Sequence, residues 1–173
     1  MSKPSGRPYH VLFVDTGNAG PSIIAEALLD HWGRGRFKGF SAGSHPTGRL
    51  DEVSLSLLQQ FGLPTSHLHS KNCAEFQQPD APVMDFVFIV GGQGTGEAWP
   101  AWPGQPIVAE WNLPDPQTAS GGTAERMLAH REVFQMIERR VQILTSLRLD
   151  SYRRRDVQKV IRDIEQTDTA EAA

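Results

Sequence analysis

An aspartate ends the first apolar run of this chain, and the turn that follows it has the build of a site for a negatively charged group. Val11-Leu12-Phe13-Val14 reads as a buried strand, Asp15-Thr16-Gly17-Asn18-Ala19-Gly20 as a glycine-bearing turn, and Pro21-Ser22-Ile23-Ile24-Ala25-Glu26-Ala27-Leu28-Leu29 as a helix. The first N–H groups of a helix have no partner within it and lie at the positive end of its dipole, so such a turn can cradle an anion. The acid at position 15 changes what the cradle can do. Its carboxylate either occupies the anion site itself or serves as a nucleophile or general base. Pro21 is comfortable as a first helical residue but removes one amide donor. An arriving phosphate meets a fixed negative charge, so the residues predict very weak oxyanion binding.

Other groups offer less. Asp115, in Pro114-Asp115-Pro116, reads as a turn residue. Gly91 to Gly96 follows an apolar run, but its glycines lack GxGxxG spacing and no GK[ST] follows, so a loop is expected. His67, His69 and Cys73 come from one short segment with no obvious fourth ligand, which argues for surface histidines and against a metal site. Trp99 and Trp102 either form an exposed platform for a partner or pack over the sheet. Cys73 is the single cysteine, so neither an intrachain disulfide nor a dithiol relay within one chain is available. A packed or half-exposed structural thiol is the expectation.

These residues need elements to position them. Strand 9–14 and helix 21–33 are followed by an alternating strand over 36–42, a loop at 43–48 and a short helix from Asp51 to Gln60 closed by Gly62 and Pro64. Phe86-Val87-Phe88-Ile89-Val90 is nearly all apolar, as a strand buried on both faces of a parallel sheet would be. Ile107 to Trp111 is a fourth strand. Thr123 is placed to cap a helix to about Leu147, along which Met127, His130, Phe134, Ile137, Val141 and Leu144 recur at three- and four-residue steps. The expected fold is therefore α/β: an open parallel sheet of about four strands in a three-layer α/β/α sandwich. In such sheets ligands bind beyond the carboxyl ends of the strands, where Asp15 to Ser22 falls.

A chain of 173 residues suits one domain, taken here as 1–149, with a helical extension over 150–166 and a frayed tail over 167–173. The extension carries Val157, Val160, Ile161 and Ile164 on one stripe with Arg153-Arg154-Arg155 opposite, and either docks on its own domain or pairs with a second copy as a homodimer. A net charge of −3 supplies no basic field for nucleic acid or an anionic membrane. Apolar runs fall far short of the ~18 residues of a spanning helix, and the first residues lack a signal-peptide core, so a cytoplasmic protein is expected.

Several segments together carry a family resemblance. Val11-Leu12-Phe13-Val14-x-Thr16-Gly17-Asn18-x-x-x-Ser22-Ile23-x-Ala25-Glu26-Ala27, then Ser41-Ala42-Gly43-Ser44 and Pro114-Asp115-Pro116, resemble the low-molecular-weight protein tyrosine phosphatases. Ser41 to Gly48, Met84 to Phe88 and Trp102 to Pro106 are similar in particular to the bacterial thioredoxin-coupled arsenate reductases of that superfamily. The likeness covers roughly residues 9 to 147. It implies a Cys-x5-Arg-Ser loop in which the cysteine attacks phosphate or arsenate and the arginine clamps the oxyanion. Here the cysteine position is Asp15 and the arginine position is Pro21, while Ser22 matches the hydroxyl that supports a thiolate and Asp115 the general acid. The further cysteines of the reductase relay fall at Gly91 and about Trp99.

The resulting expectation is a family member that has lost catalysis and acts as a binding or regulatory module, with no cofactor and with an unknown protein or small molecule as partner. One alternative is an enzyme that uses Asp15 in phosphoryl or acyl chemistry, as a strand-end Asp-Thr-Gly superficially resembles haloacid-dehalogenase phosphatases. Those place a second aspartate where this chain has Gly17, and they need magnesium, for which no clear carboxylate cluster is present. Residual phosphatase or arsenate reductase activity is the other alternative.

Overall fold

The computed structural model of the chain describes residues 6–91 and 98–171, with side chains to residue 167. Four strands, β1 (Tyr9–Asp15), β2 (Phe37–Gly43), β3 (Phe86–Ile89) and β4 (Ile107–Glu110), carry four helices, α1 (Pro21–Gly33), α2 (Glu52–Gln60), α3 (Thr123–Ser146) and α4 (Arg154–Glu171). All strand pairs are parallel, in the order β2-β1-β3-β4. This is the expected open α/β sheet. Between β1 and β3 the chain connections leave in opposite directions, and that topological switch point is where such sheets open a crevice at their carboxyl ends.

Alternation along β1 sends its residues to two cores. Tyr9, Val11 and Phe13 join Ile23, Ile24 and Leu28 of α1, Leu58 of α2 and Ile137 and Val141 of α3. Leu12 and Val14 face the other way, onto Cys73 and Phe76 of the 3-10 turn Cys73–Gln77, Met84 just before β3 and Trp102 before β4, which cover the second face. Full burial of one such side chain contributes about 1.5–3 kcal/mol. Glycine at position 39 lets α1 lie close on β2, because a Cβ there would be 2.6 Å from the Glu26 carbonyl oxygen.

The C-terminal extension docks on its own domain. Val157, Ile161 and Ile164 of α4 are buried in the larger core. The helix begins at Arg154, after a 3-10 turn at Leu149–Ser151, and runs through Thr167 to Glu171. No glycine or proline lies there to stop it. Thr123 is the first residue of α3 and not its cap: Gly122 takes that place, and the Glu125 carboxylate accepts its N–H at 2.8 Å. No helix among the described residues is long and apolar enough to cross a membrane.

Candidate functional site

The turn after β1 is held from outside by the segment after β2. The carbonyls of Asp15, Thr16, Gly17 and Ala19 accept N–H bonds from Ser44 (3.2 Å), His45 (2.8 Å), Thr47 (3.0 Å) and Asp51 (2.8 Å). With those carbonyls turned outward, the amides of Asn18 and Ser22 face the inside of the loop. Asn18 adopts a left-handed backbone at φ 45°, which asparagine tolerates better than most residues. Gly43 ends β2 beneath the loop, where a Cβ would meet Thr16 O at 2.6 Å.

The Asp15 carboxylate fills the centre of this arrangement. Its Oδ1 accepts the Asn18 N–H at 2.6 Å and its Oδ2 the Ser22 N–H at 3.1 Å. The residue is 7% exposed. Burial pushes its carboxyl above the ordinary aspartate range, against the Ser22 hydroxyl and amide and the Asn18 amide, which favour the charged form, and with the Asp115 charge adding to the rise. The N–H groups of Thr16, Gly17, Ala19 and Gly20 make no hydrogen bond among the described residues.

Above the carboxylate lies a cleft of about 520 Å³. Asp15, Thr16, Gly17, Ala19, Gly20 and Pro21 form one wall, Val90 and Gly91 the base of β3's exit, and Asn112 to Asp115 with Gln117 the opposite wall. The described lining therefore holds two aspartates and no basic side chain. Asp115 also caps the 3-10 turn Pro116–Thr118, its Oδ1 accepting the Gln117 N–H at 2.9 Å. Gly91 lies against Asp15, since a Cβ at 91 would be 3.0 Å from the Asp15 Cβ. Asn18 and Ser22 lie beneath the cleft, fully buried.

The remaining candidates stand apart. Trp99 and Trp102 pack on the second face of the sheet, outside the cleft lining. His67 and His69 are exposed while Cys73 is buried, and no group of three or more His, Cys, Asp or Glu side chains converges among the described residues. Gly92 to Gly96 lies outside the described residues.

Under the loop is a polar network that the sequence reading missed. Asn18 Nδ2 donates to Ser22 Oγ at 2.9 Å, and Asn18 Oδ1 accepts the Lys71 N–H at 2.8 Å. The Lys71 ammonium lies 3.3 Å from Glu26 Oε2, 3.2 Å from Ser41 Oγ and 2.8 Å from the His69 carbonyl, and the Ser41 hydroxyl also donates to Glu26. Lys71 and Glu26 are both buried. The available signal was Glu26 itself, a charge set within the apolar face of α1. A second cavity, of about 430 Å³, lies between the first turns of α2 and α3. There His130 Nδ1 bonds the Arg126 carbonyl at 2.7 Å, and its Nε2 lies 3.2 Å from Asp51 Oδ2 without the alignment of a hydrogen bond.

A parallel α/β sheet with an amide-lined loop at its switch point defines a class of α/β proteins whose ligand crevice lies at the carboxyl ends of the strands. Residues 10–159 match the family model of low molecular weight phosphotyrosine protein phosphatases, and the chain belongs to that family. An arsenate reductase from Archaeoglobus fulgidus shares 28% identity at a TM-score of 0.63, over 79% of this chain and 99% of that one. An arsenate reductase in a phosphate-binding state shares 25% at a TM-score of 0.66, over 80% and 97%. A tyrosine phosphatase of Erwinia amylovora, at 19% identity and a TM-score of 0.59 over 82% and 95%, shares the fold. No curated protein matches the sequence.

Proposed function

We propose that this chain is a non-catalytic member of its family that works in the cytoplasm as a binding or regulatory module. The observation that carries this reading is the Asp15 carboxylate, bonded to the Asn18 and Ser22 amides inside the loop that would otherwise receive an oxyanion. In the family likeness this position belongs to the thiol nucleophile and Pro21 to the arginine clamp. A carboxylate bound to loop amides repels a second anion and offers no thiolate to attack it. With two aspartates and no basic side chain in its described lining, the cleft favours neutral or cationic groups of a small molecule or protein.

Calorimetry of the wild-type protein with arsenate and with phosphate tests this reading. Dissociation constants weaker than about 1 mM are expected, together with no hydrolysis of p-nitrophenyl phosphate and no thioredoxin-coupled arsenate reduction. Tight, stoichiometric arsenate binding would overturn it. The double substitution Asp15→Cys with Pro21→Arg should bring back oxyanion binding on the same scaffold.

Asp115 on the opposite wall favours a second reading, in which Asp15 attacks a phosphoryl or acyl group and Asp115 handles the proton. Acyl-phosphate trapping in single turnovers, with and without magnesium, separates the two. A trapped adduct at Asp15 establishes the second reading, and inertness under both conditions removes it.

A further inference from the structure

We infer that α4 positions the far wall of the cleft, and that Glu165 is the positioning residue through which it acts. The need arises where β4 ends. The Trp111 N–H still bonds the Ile89 carbonyl at 2.8 Å, but from Asn112 the chain leaves the sheet and its N–H groups lose their ladder partners. Glu165 meets that need from α4: its Oε1 accepts the Asn112 N–H at 3.0 Å and also the Asn112 Nδ2–H. On the other side, the buried Arg140 of α3 donates to the Asn112 carbonyl at 3.4 Å. Asn112 begins the wall that ends in Asp115.

Glu165 is itself held firmly. Its neighbours Ile161 and Ile164 are buried in the core, and at the other end of the helix the Arg154 guanidinium donates to the Gln105 carbonyl. The family match ends at residue 159, six residues short of Glu165. The Archaeoglobus reductase is covered almost entirely by 79% of this chain. The contact thus brings a residue from outside the family match onto the family cleft. Displacing α4 frees Asn112 to Asp115 and changes the cleft opposite Asp15.

Amide hydrogen exchange on the full chain tests this with Glu165→Ala, Glu165→Gln and, as a control, Leu58→Ala. Loss of a hydrogen bond to a charged acceptor corresponds to about a tenfold or greater rise in exchange where that bond gives the protection. Glu165→Ala should produce that rise at Asn112 and the residues after it while β1 and α1 keep their wild-type rates. Glu165→Gln retains an amide oxygen as acceptor and should restore most of the protection. Leu58→Ala opens the core under α2 and leaves α4 in place, so it should raise exchange in proportion to global stability, in β1 as much as at Asn112. Unchanged protection at Asn112 in Glu165→Ala would overturn the inference. So would a rise that β1 shares equally, as in the control, or a failure of glutamine to rescue.

Discussion

Replacing Lys71 by methionine removes an ammonium from beneath the loop while keeping most of its aliphatic stem. The side chains of Lys71 and Glu26 are 7% and 8% exposed, and their charged atoms lie 3.3 Å apart. Once the ammonium is gone, the Glu26 carboxylate keeps the Ser41 hydroxyl but loses its countercharge, and the His69 carbonyl loses a donor. Breaking a buried pair from one side typically costs about 3–5 kcal/mol, because a charge is left uncompensated. For a chain of this size each kcal/mol shifts the melting temperature by about 2–4 °C, so a fall of roughly 6–20 °C is expected. Urea unfolding at unchanged m-value measures the cost directly. The double variant Glu26→Gln with Lys71→Met removes both charges and should recover more than half of the loss, since glutamine still accepts from Ser41. Strong non-additivity is then the signature of a coupled pair. A loss below about 1 kcal/mol for Lys71→Met, or strict additivity in the double variant, would refute the reasoning.

Asp15→Asn should show the cost of burying the carboxylate as a function of pH. The folded pKa lies above the ordinary value of 3.8, so the folded chain holds this proton to higher pH than the unfolded chain does. Wild type therefore loses stability relative to Asp15→Asn as pH rises from about 3.8 through the folded value, and the deficit then persists. Melting-temperature differences measured from pH 3 to pH 7 check this; a flat difference, or one that moves toward wild type as pH rises, contradicts it. Gly39→Ala places a Cβ 2.6 Å from the Glu26 carbonyl oxygen and should cost about 1–3 kcal/mol by pushing α1 off β2. A neutral result in thermal melts would show that the backbone contact yields without cost.

Much of the fold was legible because the apolar runs are short, punctuated and periodic. The buried strands β1 and β3 and the three- and four-residue steps of α3 each follow from side chains that have nowhere else to go. The loop was legible too: a strand, a glycine-bearing turn and a helix beginning at Pro21 place Asp15 among amides before any tertiary contact is known. Its bonds to Asn18 and Ser22 and its nearness to Gly91 agree with that placement. What escaped is what only the assembled sheet brings together. Glu26, Ser41 and Lys71 come from α1, β2 and the segment after α2; Glu26 stands out on the apolar face of α1, but nothing local in Ser41 or Lys71 marks either as its partner. Asn112 and Glu165 are 53 positions apart, and nothing local in either marks the pairing. The helix α4 runs past the expected residue 166 to Glu171, a stretch that is polar but contains nothing that breaks a helix.

The amide resonances of Asn18 and Ser22 in the wild-type protein, followed by nitrogen–proton correlation spectroscopy as arsenate is added, test the central claim most directly. With the Asp15 carboxylate already bonded to both N–H groups, neither resonance should move at arsenate concentrations up to about 0.1 mM, a tenth of the expected lower bound on the dissociation constant. A saturable, stoichiometric shift of these amides would mean that the oxyanion displaces the carboxylate and that the loop still serves its inherited ligand.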